Sequence, residues 1–167
     1  AVPRNLVAKV PDGVDLADAA LVTLGSIAIT ALRATQCRFG ETIVLYGMGL
    51  LGLLAGQIGT AAGFRVIGLD IADTQLDMAR RMGLEHLFNP SRDDVTAKVK
   101  ELTDGYGADA VILGVKADSS EPLNHSFDLC RQRGVVVAQG LFGLEVDRRR
   151  FYANQISLVP AIGYGLG

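Results

Sequence analysis

The sequence predicts an α/β fold: a doubly wound parallel sheet of six strands with helices on both faces. Two observations carry that prediction. Strand-like and helix-like segments alternate along most of the 167 residues, the pattern of repeated strand–helix–strand crossovers. Several strand-like runs are apolar almost without interruption, as strands covered on both sides are. A third observation bears on function. Three glycines, Gly47, Gly49 and Gly52, fall within six positions where an apolar run gives way to a helix.

"TIVLYG" (42–47) reads as the first strand, followed by an apolar helix over 49–62 closed by Gly63. "RVIGLD" (65–70) is the second strand. Leu76, Ala79 and Met82 share one face of a helix from Asp73 to Met82, with Gly83 as its C-terminal cap. "HLFNP" (86–90) is a short third strand stopped by Pro90, and Val95, Val99 and Leu102 mark the next helix. "ADAVILGV" (108–115) is the fourth strand. A helix begins near Ser119 or Ser120 with Pro122 in its first turn, buries Leu123, Phe127 and Cys130, and ends at Gly134. "VVVAQG" (135–140) and "SLVPAIGYG" (157–165) are the fifth and sixth strands. Pro160 has no N–H to give, so the sixth strand belongs at an edge. The order 3-2-1-4-5-6 puts it there, and the prediction is a Rossmann fold.

Composition narrows the function classes. Hydrophobic residues make up 49% and charged residues 20%, which describes a globular chain able to bury a core. A net charge of −2 speaks against a nucleic-acid binder. No run approaches the roughly 18 apolar residues of a membrane span. The two cysteines, Cys37 and Cys130, form no close pair, which suits a reducing, cytoplasmic setting.

Gly47, Gly49 and Gly52 spell G-x-G-x-x-G at the end of a strand and the start of a helix. An acidic residue, Asp70, ends the next strand 23 positions after Gly47. That context is the dinucleotide-binding fingerprint. Gly47 makes the tight turn, Gly49 lets the backbone approach a pyrophosphate, and Gly52 lets the helix pack closely on the sheet. The helix N-terminus, at Met48, Leu50 and Leu51, receives the anion. Asp70, followed by Ile71, accepts hydrogen bonds from the adenosine ribose, which predicts NAD and not NADP. The nearest cations in sequence, Arg80 and Arg81, lie a helix away. Ligands of such sheets bind beyond the carboxyl ends of the strands. That adds Gly114, Val115 and Lys116 after the fourth strand, and Gly140, Leu141 and Phe142 after the fifth.

These residues resemble the medium-chain dehydrogenase/reductases, the zinc-type alcohol dehydrogenases and their relatives. The likeness runs through "KVPDGVDLADAALV" (9–22), "FGETIVLYGMGLLG" (39–52), "VIGLDIADTQLDMARRMG" (66–83) and "NP" (89–90). It implies a coenzyme domain over 39–167, with 1–38 as linker and helices from the junction with a catalytic domain. The closing stretch "RRRFYANQISLVPAIGYGLG" is similar to a narrower group, in which a second Rossmann oxidoreductase follows. The family's catalytic zinc uses a Cys just before the coenzyme domain. Alignment on "FGETIVLYG" puts that position at about Leu24, which cannot bind zinc, and the other ligands would lie upstream of Ala1. The resemblance also implies that the loops after strands four and five flank the adenine ribose and nicotinamide. Pairing of sixth strands into a homodimer is implied as well.

Other polar residues read plainly. Cys37, Cys130, His86 and His125 show no metal-ligand spacing, and both histidines read as structural or surface groups. Arg148–Arg150 reads as a solvated loop, Asp73 and Asp77 as acids at a helix start and solvent face. "NLVAKV" (5–10) reads as a strand without a partner nearby, and no closing helix follows strand six. Both features point to a domain of a longer protein. The expected function is the NAD-binding half of an alcohol dehydrogenase-like oxidoreductase, inactive alone and completed by a catalytic domain that holds the small-molecule substrate. The alternatives are an S-adenosylmethionine methyltransferase, which also uses a glycine-rich turn and an acidic strand end, and a non-catalytic NAD sensor.

Overall fold

The computed structural model describes residues 2–4 and 7–164. Helices α1 (Leu16–Ala19) and α2 (Val22–Ala34) precede the sheet. Then β1 (Thr42–Tyr46), α3 (Leu50–Ala61), β2 (Arg65–Leu69), α4 (Asp73–Arg81) and β3 (His86–Phe88) form one half. The other half is α5 (Val95–Leu102), β4 (Ala108–Leu113), α6 (Glu121–Leu129), β5 (Cys130–Ala138), α7 (Arg148–Ala153) and β6 (Ser157–Pro160). All pairings are parallel, in the order β3-β2-β1-β4-β5-β6, with both ends in the predicted places.

The alternation of side chains along β1 explains the two cores. Ile43 and Leu45 face a layer made by α2, α3 and α4. Val44 and Tyr46 face the opposite layer, with Val95 and Val99 of α5 and Leu123 and Phe127 of α6. Every β1 side chain is buried, so the strand reads as unbroken apolar sequence.

Several boundaries differ from the sequence reading. The helix expected to end at Gly134 ends at Leu129, and Cys130 is buried in β5 instead. Gly134 is no helix cap: Arg133 takes φ 60°, and a Cβ on Gly134 would lie 2.9 Å from the Cys130 Cβ. The chain turns tightly there, and the β4–β5 register slips between Ala108 and Ala110. Arg148–Arg150 forms the start of α7, not a loop. The Asp147 carboxylate accepts from the N–H groups of Arg149 and Arg150, a side-chain cap that starts a helix. The helix of Leu76 and Ala79 ends at Arg81, with Met82 as its cap and exposed. The last strand stops at Pro160; residues 161–164 are irregular, and residue 165 lies outside the described residues. Of the strand expected at 5–10, residues 7–10 are irregular and 5–6 lie outside the described residues.

Candidate functional site

The carboxyl ends of β1, β2, β4 and β5 open on one side, and the predicted residues gather there. Gly47 sits at φ 109°, a backbone that favours glycine. A Cβ there would press at 3.1 Å on the Gly114 carbonyl and on Val115 Cγ1. Gly49, the N-cap of α3, has φ −68° and offers no side-chain cap. A Cβ on Gly49 would meet nothing within 4 Å. The first intrahelical acceptor, the Gly49 carbonyl, is taken by Leu53 N–H at 2.9 Å. The N–H groups of Leu50, Leu51 and Gly52 thus stand outside the helical ladder. Gly52 serves packing: a Cβ there would run into the Gly47 carbonyl oxygen. An open cradle at an uncapped helix start fits the pyrophosphate of a dinucleotide.

Asp70 does more than its motif role requires. Its Oδ2 accepts from Met48 N–H at 2.8 Å and its Oδ1 from Ala72 N–H at 2.8 Å. One carboxylate therefore ties the glycine turn to the loop after β2. Each oxygen keeps capacity for a further donor. Met48 contributes this N–H only, because its side chain is fully buried beneath Gly68.

A cleft of about 380 Å³ runs between these groups, lined by Gly47, Gly49, Asp70, Ile71, Gly114, Val115 and Lys116. Tyr46, Gln75, Ala117 and Pro122 line it too and were not anticipated. A neighbouring groove of about 530 Å³ is lined by Gly140, Leu141, Phe142, Gly143 and Leu144. Lys116 and Ala117 line both, so the two are continuous. The loops after β4 and β5 are zipped together: Leu141 N–H donates to the Val115 carbonyl at 3.0 Å, and Ala117 N–H to the Leu141 carbonyl at 2.9 Å. A Cβ on Gly140 would strike the Val115 backbone, which is why glycine stands there. Leu141 is left 75% exposed and Ile71 70%, apolar surface at either end of the cleft.

Beyond Asp70, Asp73 of α4 accepts from Arg92 Nη1 at 2.7 Å and from Asn89 Nδ2 at 3.1 Å. Sequence spacing hid this cation, because Arg92 follows β3 and approaches only through the fold. His125 sits below the cleft, its Nδ1 3.3 Å from the Tyr46 hydroxyl and its Nε2 3.3 Å from Thr96 Oγ1. Burial holds the His125 pKa below its ordinary value and pushes Tyr46 up. Burial also lifts the Cys37 thiol to about 11. Among the described residues no three His, Cys, Asp or Glu side chains are arranged to hold a metal. The Leu24 position lies in α2 and is half-buried, and these residues do not fit a zinc ion. No helix among them is long and apolar enough to cross a membrane.

Residues 51–165 match the family model described as zinc-binding dehydrogenase. The alcohol dehydrogenase of Geobacillus stearothermophilus is 32% identical over 138 residues, covering 82% of this chain and 40% of that protein. The erythritol/L-threitol dehydrogenase of Mycolicibacterium smegmatis is 35% identical over 144 residues, covering 84% and 39%. The crystal structure of 2R,3R-butanediol dehydrogenase from Bacillus subtilis superposes with a TM-score of 0.85 at 24% identity, covering 94% of this chain and 45% of that one. The chain spans less than half the length of each of these relatives.

Proposed function

The chain belongs to the zinc-binding dehydrogenases, as a coenzyme domain of the medium-chain dehydrogenase/reductases, and on that premise we propose that it binds NAD for an oxidoreductase acting on an alcohol or its carbonyl counterpart. The observation that carries this reading is the open space over Gly49 at an uncapped helix start, with Asp70 one strand away. The backbone of Gly49 to Leu51 receives the pyrophosphate, aided by the partial positive charge of the helix terminus. The spare lone pairs of Asp70 accept from the ribose hydroxyls. Exposed Ile71 offers an apolar surface to the adenine. The zipped loops at Gly114–Lys116 and Gly140–Phe142 shape the groove that orients the nicotinamide, and the coenzyme supplies or accepts the hydride.

No step runs through zinc, because the described residues provide no ligand set. The chain spans less than half the length of its relatives, and by itself it binds coenzyme without turning over substrate. A catalytic domain of the longer protein holds the substrate. Membership of the dehydrogenase family disfavours the methyltransferase reading.

Titration of the purified protein with NADH and NADPH tests the proposal. Saturable NADH binding that exceeds NADPH binding is expected; no binding of either, or equal binding of both, overturns it.

A further inference from the structure

The start of α4, three residues beyond Asp70, holds a second, organised set of charges. Asp73, the first residue of α4, holds the Arg92 guanidinium with one oxygen and the Asn89 amide with the other. The same Asn89 amide donates to the Ile71 carbonyl at 3.0 Å. Asn89 is only 4% exposed, and its backbone N–H and Oδ1 are tied to Asp93 and Ser91. One buried amide therefore fixes Asp73 relative to the residue that follows Asp70, and Asp73 fixes Arg92. The pair itself faces water, with the Arg92 and Asp73 side chains 58% and 56% exposed. The hydrogen bond from Arg92, then that from Asn89, holds the Asp73 carboxyl below its ordinary range.

A guanidinium is the side chain best suited to a phosphate. The 2′-phosphate that distinguishes NADP carries about −1.5 to −2 charge and would sit on the ribose that Asp70 meets, with Asp73 opening α4 three residues on. We infer that Asp73 is a coenzyme-selectivity residue: by holding Arg92 it withholds that guanidinium from a 2′-phosphate on the ribose. This inference rests on the reading that Asp70 meets the adenosine ribose. Asp73 then disfavours NADP through the cation it occupies. Removing its charge releases Arg92 at the place where a phosphate needs it.

The test titrates NADH and NADPH, followed by nicotinamide fluorescence, into wild type, Asp73→Asn, Arg92→Ala, the Asp73→Asn/Arg92→Ala double variant and Asp70→Ala. Asparagine keeps the shape of Asp73 and an acceptor for Asn89, and Asp73→Ser serves if Asp73→Asn melts early. Asp73→Asn is expected to raise NADPH affinity roughly 5- to 10-fold, with NADH affinity changed less than about 2-fold. The gain should shrink as salt rises and vanish in the double variant, which is the coupling between the two residues. Arg92→Ala alone should leave NADPH binding near wild type. An unchanged NADPH affinity in Asp73→Asn overturns the inference, and so does a gain that survives loss of Arg92, since charge alone would then explain it. Asp70→Ala separates the two levels. A coenzyme preference unmoved by Asp70→Ala sinks the underlying site assignment, whereas a relaxed preference there with no response at Asp73 sinks only this inference.

Discussion

Gly49 and Gly52 stand three positions apart under opposite demands. Gly49 has an ordinary backbone and open space above it, so the fold tolerates a side chain there and a pyrophosphate does not. Gly49→Val is expected to melt within a few degrees of wild type while weakening NADH binding about 100-fold or more, near 2.8 kcal/mol; wild-type affinity would show that the phosphate lies elsewhere. Gly52 has no such space, because a Cβ meets the Gly47 carbonyl. Gly52→Ala should therefore cost roughly 1–3 kcal/mol in urea unfolding, through strain between helix and turn. Asp70 combines both demands. Asp70→Ala leaves the Met48 and Ala72 N–H groups without their acceptor, a loss of about 1 kcal/mol for half-exposed groups. It should also relax a preference for NAD over NADP that we place at about 10- to 100-fold. Calorimetric titration of both coenzymes, beside a melting curve, reads the two effects separately. The glycines and Asp70 were legible in the sequence because the motif is local and its spacing is physical. Gln75 was not, since it reaches the cleft only through the way α4 docks on the sheet, and the Asp73–Arg92 pair was not, since Arg92 arrives only through the packing of the loop after β3.

At the scale of elements, strands were read more faithfully than helix ends. Strands buried on both faces show as apolar runs, whereas the end of α6 depends on how closely Gly134 approaches Cys130 in space. The start of α7 likewise depends on Asp147, whose neighbour Arg150 meets Asp128 of α6 at 3.3 Å. The same tertiary context makes α6 sensitive to acid. His125 joins α6 to β1 through Tyr46 and to α5 through Thr96. Burial depresses its pKa, against the opposing pull of Asp128, Glu121 and Asp94. The folded state thus binds the proton less readily than the unfolded chain. Its contribution is complete above the unfolded value of about 6.5 and is lost as pH falls through the folded one. His125→Gln should flatten the fall in melting temperature between neutral and mildly acidic pH, while lowering stability at neutral pH through the lost contacts. A variant whose melting temperature falls with acid as steeply as wild type would show that this histidine does not carry the dependence.

At the scale of the whole molecule, the outer edge of β6 decides how the sheet meets a second copy. Ala161 N–H donates to the Ala138 carbonyl at 2.9 Å, and Pro160 stands opposite Ala138 in the parallel register. Along a strand, backbone groups point alternately to either side, so Leu158 and Pro160 direct theirs away from β5. The missing N–H of Pro160 therefore costs the β5–β6 ladder nothing and instead blunts the outer edge, a recognised defence against unwanted pairing. A two-fold dimer through this edge is still expected, and its geometry is constrained. Leu158 can exchange N–H and carbonyl with Leu158 of the partner subunit across the axis. The next donor outward is absent at Pro160, and the Ile156 N–H is already given to the Phe151 carbonyl at 3.2 Å. Two backbone bonds fall short of a stable interface, which normally buries about 1,200–2,000 Å² in total. Within this chain the dimer should accordingly be weak and rise with concentration. Light scattering from micromolar to millimolar protein should show the average mass climbing toward twice the monomer. Leu158→Pro, which removes the one outward N–H without breaking a bond to β5, should hold it at the monomer. A mass that stays monomeric throughout for the wild type would mean that Pro160 closes this edge to pairing altogether.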